Sequence, residues 1–330
     1  PPQETDMRTI TRRTALALAA SALAAPTAAL AQAGFPSKPI RLVVPFPAGG
    51  SVDPLARVLG ERMTQAFGQQ VIVDNRAGGN TVIGTDFVAK APADGYTLLL
   101  TASSHVTQPQ LLTAPFDPIK DFAPVATVSA SDMILCVHPS VPANNLQEFL
   151  ALAKAKPGAL NFSSAGSGNP NHLAGELLSM MANVKFTHVP YKGGAPAIVD
   201  LVGGQVQFSF GSPIIVLPHI RSGRLKAIAV TSSQRMSLLP NVPTIADSGV
   251  AGYEVRIWYG VLAPAGTPKD VVAKLATEIN RITALPEMKE RLDAAGMERL
   301  MVPTERYEAV MRQDMEKFGR IIKTANVKLD

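Results

Sequence analysis

Short, continuous apolar runs alternate with amphipathic stretches through two thirds of this chain, and that alternation limits its fold more than any other feature. Residues 40–44 read as a strand, followed by a loop rich in Pro and Gly and a helix over 54–67. A second strand is expected at 70–74, a helix at 81–91 closed by Pro92 and Gly95, and a third strand at 96–100. The pattern returns with helices over 146–156, 171–181 and 195–203 and strands over 160–163, 186–189, 206–210 and 227–230. Unbroken apolar strands separated by helices predict parallel sheets covered on both faces. The last third differs: 268–283, 286–295 and 304–324 carry apolar residues three and four apart, the spacing of helices.

Two β-rich segments, 122–139 and 253–264, interrupt the alternation. If both cross the same gap, one lobe takes residues from both ends of the chain. The 330 residues suit two domains of ordinary size. The expected class is therefore α/β: two doubly wound lobes, 32–130 with 255–330 and 131–254, joined by two crossover strands with a ligand cleft between them. In such sheets ligands lie beyond the carboxyl ends of the strands.

Residues 1–31 are expected to be an export signal. Arg8, Arg12 and Arg13 precede a run of Ala and Leu from Ala15 to Leu30, and Ala29-Leu30-Ala31 has the small-x-small form of a cleavage site. Thr11-Arg12-Arg13 is similar to a twin-arginine signal, but Ala15 stands where a bulky residue is usual, so the twin-arginine and general secretory routes both stay open. Met7 is the expected natural start, with residues 1–6 ahead of it.

Charge and cysteine content narrow the function. Net charge is +5, spread along the chain without aromatics interleaved among the bases, which argues against a nucleic-acid partner. Cys136 is the single cysteine; it lies in an apolar run and is expected as a buried small hydrophobe. The five histidines are scattered and no Cys/His cluster has zinc spacing, so neither metal nor cofactor is expected. A monomer is expected.

Three sets of loops can hold a ligand. The first follows the first strand and supplies Phe46, Ala48, Gly49, Gly50, Ser51 and Asp53, with Asp53 expected as a helix N-cap and Pro54 behind it. Its glycines let a ligand approach the backbone, and a helix start offers free N–H groups to an anion. The second is 162–172, with Ser164, Ala165, Gly166 and Gly168 ahead of an expected cap at Asn171 and with His172 as a packing residue. Gly166-Ser-Gly168 is no dinucleotide fingerprint, because Asn171 stands where the third glycine belongs. A β-branched side chain at Gly166 is expected to block an anion while leaving the fold intact. The third set comprises Ser103, Ser104 and His105, then Tyr191 and Gly193, then Phe210, Gly211 and Ser212. Ser103, Ser104 and His105 are adjacent but sit in no Gly-x-Ser-x-Gly elbow, so an enzyme, in particular a hydrolase, is disfavoured. Few acids lie near these loops, so the ligand is expected to carry a carboxylate.

The loops, in this order, resemble the solute-binding proteins of tripartite tricarboxylate transporters, the Bug family. The matching pieces are Pro36-Ser-Lys-Pro-Ile40, Pro45-Phe-Pro-Ala-Gly-Gly50 with Asp53, Asn75-Arg-Ala-Gly-Gly79, Ala91-Pro-Ala-Asp-Gly-Tyr-Thr97, Asp121-Phe-Ala-Pro124, Ser164-Ala-Gly-Ser-Gly168 with His172, His188-Val-Pro-Tyr-Lys-Gly193, Leu217-Pro-His-Ile-Arg221 and Trp258-Tyr-Gly-Val-Leu-Ala-Pro-Ala-Gly-Thr-Pro268. The resemblance implies a two-lobed periplasmic binding protein that captures a small mono-, di- or tricarboxylate by hinge closure. It implies that backbone N–H groups, hydroxyls and ordered waters of the two Gly-rich loops hold the carboxylate, and that a permease of a large and a small subunit receives it. A sensor subunit docking on a membrane receptor is the alternative. Where the family commonly has an acid, this chain has Phe210-Gly-Ser212, which disfavours an amino-acid ligand.

Overall fold

The fold is a computed structural model that describes residues 34–327. The expected export signal, residues 1–31, lies outside the described residues. From Lys38 onward the chain forms one unit carrying two sheets.

The chain runs through β1 (Ile40–Val44), α1 (Val52–Phe67), β2 (Val71–Asn75), α2 (Val82–Ala89), β3 (Thr97–Ala102) and the short α3 (Ser104–Thr107). It then enters the long β4 (Phe122–Asp132) and β5 (Ile134–Val137), with Met133 alone between them. Next come α4 (Leu146–Ala155), β6 (Asn161–Ser164), α5 (Pro170–Ala182), β7 (Thr187–Pro190), α6 (Gly194–Val202), β8 (Phe208–Gly211), α7 (Pro213–Arg221) and β9 (Lys226–Val230). Last are β10 (Arg256–Pro264), α8 (Lys269–Thr283), α9 (Pro286–Ala294), β11 (Met297–Arg299) and α10 (Thr304–Thr324).

The first sheet has the order β11-β4-β10-β3-β1-β2 and the second β7-β6-β8-β5-β9. Both are mixed, which corrects the expectation of purely parallel sheets. β1 runs parallel to β2 and β3, and β6 parallel to β7 and β8. β4 leaves the first sheet toward the second and β10 returns, so β10 lies antiparallel to both β4 and β3. β5 is likewise antiparallel to β8 and β9. The crossover segments had to be read as strands of the sheets they join, not as links outside them.

Each sheet has its own apolar core. Val43, Leu99, Trp258 and Tyr307 pack under the first, and Ile134, Cys136, Ile198 and Leu201 under the second. Both crossings meet one residue just past β9. Thr231 N–H donates to the Met133 carbonyl at 2.9 Å, and its own carbonyl accepts Val255 N–H at 3.1 Å.

Candidate functional site

Four helices begin on one cavity. Each follows the carboxyl end of a strand: α1 after β1, α5 after β6, α6 after β7 and α7 after β8. The cavity, about 80 Å³, is lined at these starts by Gly50, Ser51 and Val52, by Asn169 to Asn171, by Gly193 to Ala195, and by Ser212. The first N–H groups of a helix have no partner within it, and its N-terminus carries roughly half a positive charge. Among the described residues lining this cavity there is no Lys, Arg, Asp or Glu. The helix starts are the source of positive potential that this lining offers an anion. Phe46, Ile198, Phe210, Ile215 and Ile257 form apolar walls. At roughly 10–15 Å³ per water, the space suits several waters or a small ligand.

The first glycine loop closes on Asp53. Helix α1 begins at Val52, two residues before the expected start, with Ser51 as N-cap. Asp53 therefore lies inside the first turn, and its Oδ2 accepts the Gly49 amide at 3.1 Å and Arg57 Nε at 3.2 Å. Burial pushes the carboxyl up, but these bonds and Asn75 outweigh it and hold Asp53 below the usual range. Gly49 takes φ of +80°, the left-handed region that glycine tolerates. Gly49 and Asp53 thus shape the loop from behind, while Phe46, Ala48, Gly50 and Ser51 line the cavity.

In the second loop the helix starts at Pro170 with Asn169 as N-cap, two residues earlier than the expected cap at Asn171. Ala165 and Asn169 reach the cavity; Ser164, Gly166 and Gly168 do not line it. Gly166 has φ of +126°, and a Cβ there would come within 2.9 Å of Asn80 Oδ1 and 3.1 Å of Asn169 Nδ2. A β-branched residue at Gly166 would strain the empty protein itself, which overturns the expectation of an intact fold. Two side chains from beyond β3 grip this loop: Thr107 Oγ1 donates to the Gly168 carbonyl at 2.7 Å and Gln108 Nε2 to the Ser167 carbonyl at 2.8 Å.

The third set divides. Gly193, Phe210, Gly211 and Ser212 line the cavity. Tyr191 lines a neighbouring, more open cavity of about 660 Å³ that shares Phe46, Pro47, Ala165, Asn169 and Gly193 with the first. Its hydroxyl donates to Asp200 Oδ2 at 2.7 Å. Ser103, Ser104 and His105 line neither cavity. They are buried, because the chain turns into α3 directly after β3, and only Ala102 reaches the cavity. His105 Nε2 lies 2.8 Å from the Pro118 carbonyl, its ring packs edge-on to Phe122, and burial pulls it down to about 4. At Gly211 an acid has no room: a Cβ there would collide with Val216 Cγ1.

Sequence reasoning missed Tyr259. It lies in β10, buried, with its hydroxyl between Ser51 and Ser212 but in no hydrogen bond of ordinary geometry. Burial raises this phenol, and the two serines counter that in part. The signal was available as the alternation Ile257, Tyr259, which faces the cavity while Trp258 turns to Asp314 on α10.

Comparison with known proteins is decisive here. A family profile described as tripartite tricarboxylate transporter family receptor matches residues 55–327. The chain belongs to this family. A UPF0065 protein in the tcbD-tcbE intergenic region of Pseudomonas sp. (strain P51) is 40% identical over 320 residues, 96% of this chain and 95% of that protein. Among solved structures, an R. palustris protein with adipate is 32% identical, with a TM-score of 0.86, over 90% of this chain and 100% of that one. The periplasmic binding protein BugD is 36% identical, with a TM-score of 0.84 and the same coverage. As a Bug-type member of the tripartite tricarboxylate transporter receptors, the chain has the periplasmic binding protein fold and serves transport as a solute-binding protein, not as an enzyme.

Proposed function

We propose that the cavity between the two sheets captures a small carboxylate, that the two lobes close on it by bending at the crossings, and that the closed form delivers it to a permease of a large and a small subunit. Residues 1–31 would direct export by the twin-arginine or the general secretory route. The observation that carries this reading is the meeting of four helix N-termini on a cavity with no charged side chain. An anion there gains from each dipole and from unpaired N–H groups, and it desolvates no counter-charge. The hydroxyls of Ser51, Ser212 and Tyr259, which also line the cavity, add donors. The R. palustris relative solved with adipate supports the ligand class.

Closure follows from where the donors sit. α1 belongs to the first sheet and α5, α6 and α7 to the second, so they converge on one carboxylate only when the sheets approach. A ligand shifts that equilibrium by its preference for the closed state. Calorimetry with adipate, malate, citrate and benzoate, each beside its neutral amide, tests the charge requirement. At least one acid is expected to bind, with its amide weaker by roughly a hundredfold. Equal affinity for acid and amide overturns the reading. X-ray scattering is expected to show a smaller radius of gyration with ligand.

A further inference from the structure

The second glycine loop follows a strand of the second sheet, yet the first lobe holds part of its backbone. α3 and the turn Gln108–Gln110 follow β3 and are anchored in the first lobe. Val106 packs in its core with Tyr307 and Met311. Gln110 Nε2 donates to the Val106 carbonyl at 2.9 Å and to the Met315 carbonyl of α10 at 3.0 Å. From this anchor Thr107 and Gln108, both buried, reach the carbonyls of Gly168 and Ser167.

The amides of the loop turn the other way. Gly166 N–H donates to Ser164 Oγ at 3.1 Å and Gly168 N–H to His172 Nδ1 at 3.0 Å, both within the second lobe. A trans peptide points its carbonyl and its N–H apart. The unit joining Ser167 to Gly168 is therefore held at both ends, its carbonyl by the first lobe and its N–H by the second. The lobes also meet here with no room for a side chain, because a Cβ at Gly168 would collide with Leu111 Cδ1. Thr107, Gln108, Ser167 and Gly168 line neither cavity, so these bonds form without touching a ligand.

The two donors are unequal. Gln108 Oε1 is buried without a partner, which offsets part of what its Nε2 bond contributes. The Thr107 bond is the stronger, and it has an alternative for a parted state: the Ser104 carbonyl in its own helix lies 3.4 Å from Oγ1, against 2.7 Å for the Gly168 carbonyl.

We propose that Thr107, with Gln108 beside it, is a latch between the lobes: it closes on the backbone of the second glycine loop with or without ligand and raises the share of closed molecules in the empty protein. Its effect on affinity rests on the carboxylate reading of the cavity. A smaller closed share raises the apparent dissociation constant of every ligand by one common factor, whereas a lost ligand contact affects different ligands unequally.

X-ray scattering of the empty proteins tests the latch. Thr107→Val removes the donor and keeps the shape, and its radius of gyration is expected to exceed that of the wild type. Thr107→Ser keeps the donor and is expected to match the wild type. Thr107→Ala gives the same reading if the Val variant does not fold. In calorimetry, adipate and malate are each expected to bind Thr107→Val about fivefold more weakly, the worth of one hydrogen bond, and Thr107→Ser as the wild type. Equal radii for the empty wild type and Thr107→Val overturn the proposal and mark the bond as static packing. A loss confined to one acid also overturns it and makes Thr107 part of the binding surface. If no acid binds any of these proteins, the carboxylate reading fails, and the scattering of the empty proteins still decides the latch.

Discussion

Thr231 Oγ1 donates to the Val255 carbonyl at 2.7 Å and accepts the Met133 amide at 2.8 Å, so one hydroxyl holds both segments that pass between the sheets. Thr231 is fully buried. Thr231→Val keeps its shape and leaves a buried amide and a buried carbonyl short of a partner. Such groups cost about 1–3 kcal/mol each. The variant is expected to lose about 2–4 kcal/mol of stability in a denaturant titration, and a loss below ~0.5 kcal/mol would show that water replaces the hydroxyl.

Tyr259→Phe should separate binding from stability. The hydroxyl lies among donors with no bond of ordinary geometry, so its removal is expected to leave the melting temperature of the empty protein unchanged or slightly higher. Carboxylate affinity is expected to drop about tenfold, ~1.4 kcal/mol. A large fall in melting temperature with no change in affinity would assign the phenol to the core.

Asp132 ends β4 at the first crossing. Burial pushes its carboxyl up to about 6; Arg256 lowers it, and Glu298 and Glu254 raise it. A carboxylate that ionises less readily folded than unfolded costs stability as pH rises from about 4 to about 6, and the cost persists above. Asp132→Asn is expected to flatten the stability curve over that window. A curve as steep as that of the wild type would assign the slope to other groups.

Cys136 is expected to resist thiol reagents in the native protein at pH 8. It is fully buried in β5, its Sγ lies 3.4 Å from the Ser209 carbonyl, and burial pushes the thiol up to about 12. One equivalent should react in denaturant. Rapid native labelling would mean that β5 separates readily from β8.

The strands were legible where both faces are buried, because such strands have no polar side: Leu42, Val43 and Val44 all read as apolar and all pack inside. The glycine loops were legible as loops, for glycine marks backbone that other residues strain to adopt. Their division of labour was not. Asp53 and Gly168 act through a bond to the backbone and an imidazole, and nothing local distinguishes them from Ser51 or Ala165, which line the cavity. His105 follows a strand as Ser212 does, yet one lies in the core and the other at the cavity, a difference set by how the next turn packs. β11 escaped notice because three residues with one buried side chain carry no period.

The strand order of the first sheet also governs when the protein can become complete. All five strands of the second sheet fall within 134–230, so it needs nothing from the end of the chain. β4 is different: its two neighbours, β10 and β11, are both made more than a hundred residues after it. A nascent chain stopped at residue 250 holds every strand of the second sheet and gives β4 no partner at all, so the half that carries Ser51 waits for the last stretch of synthesis.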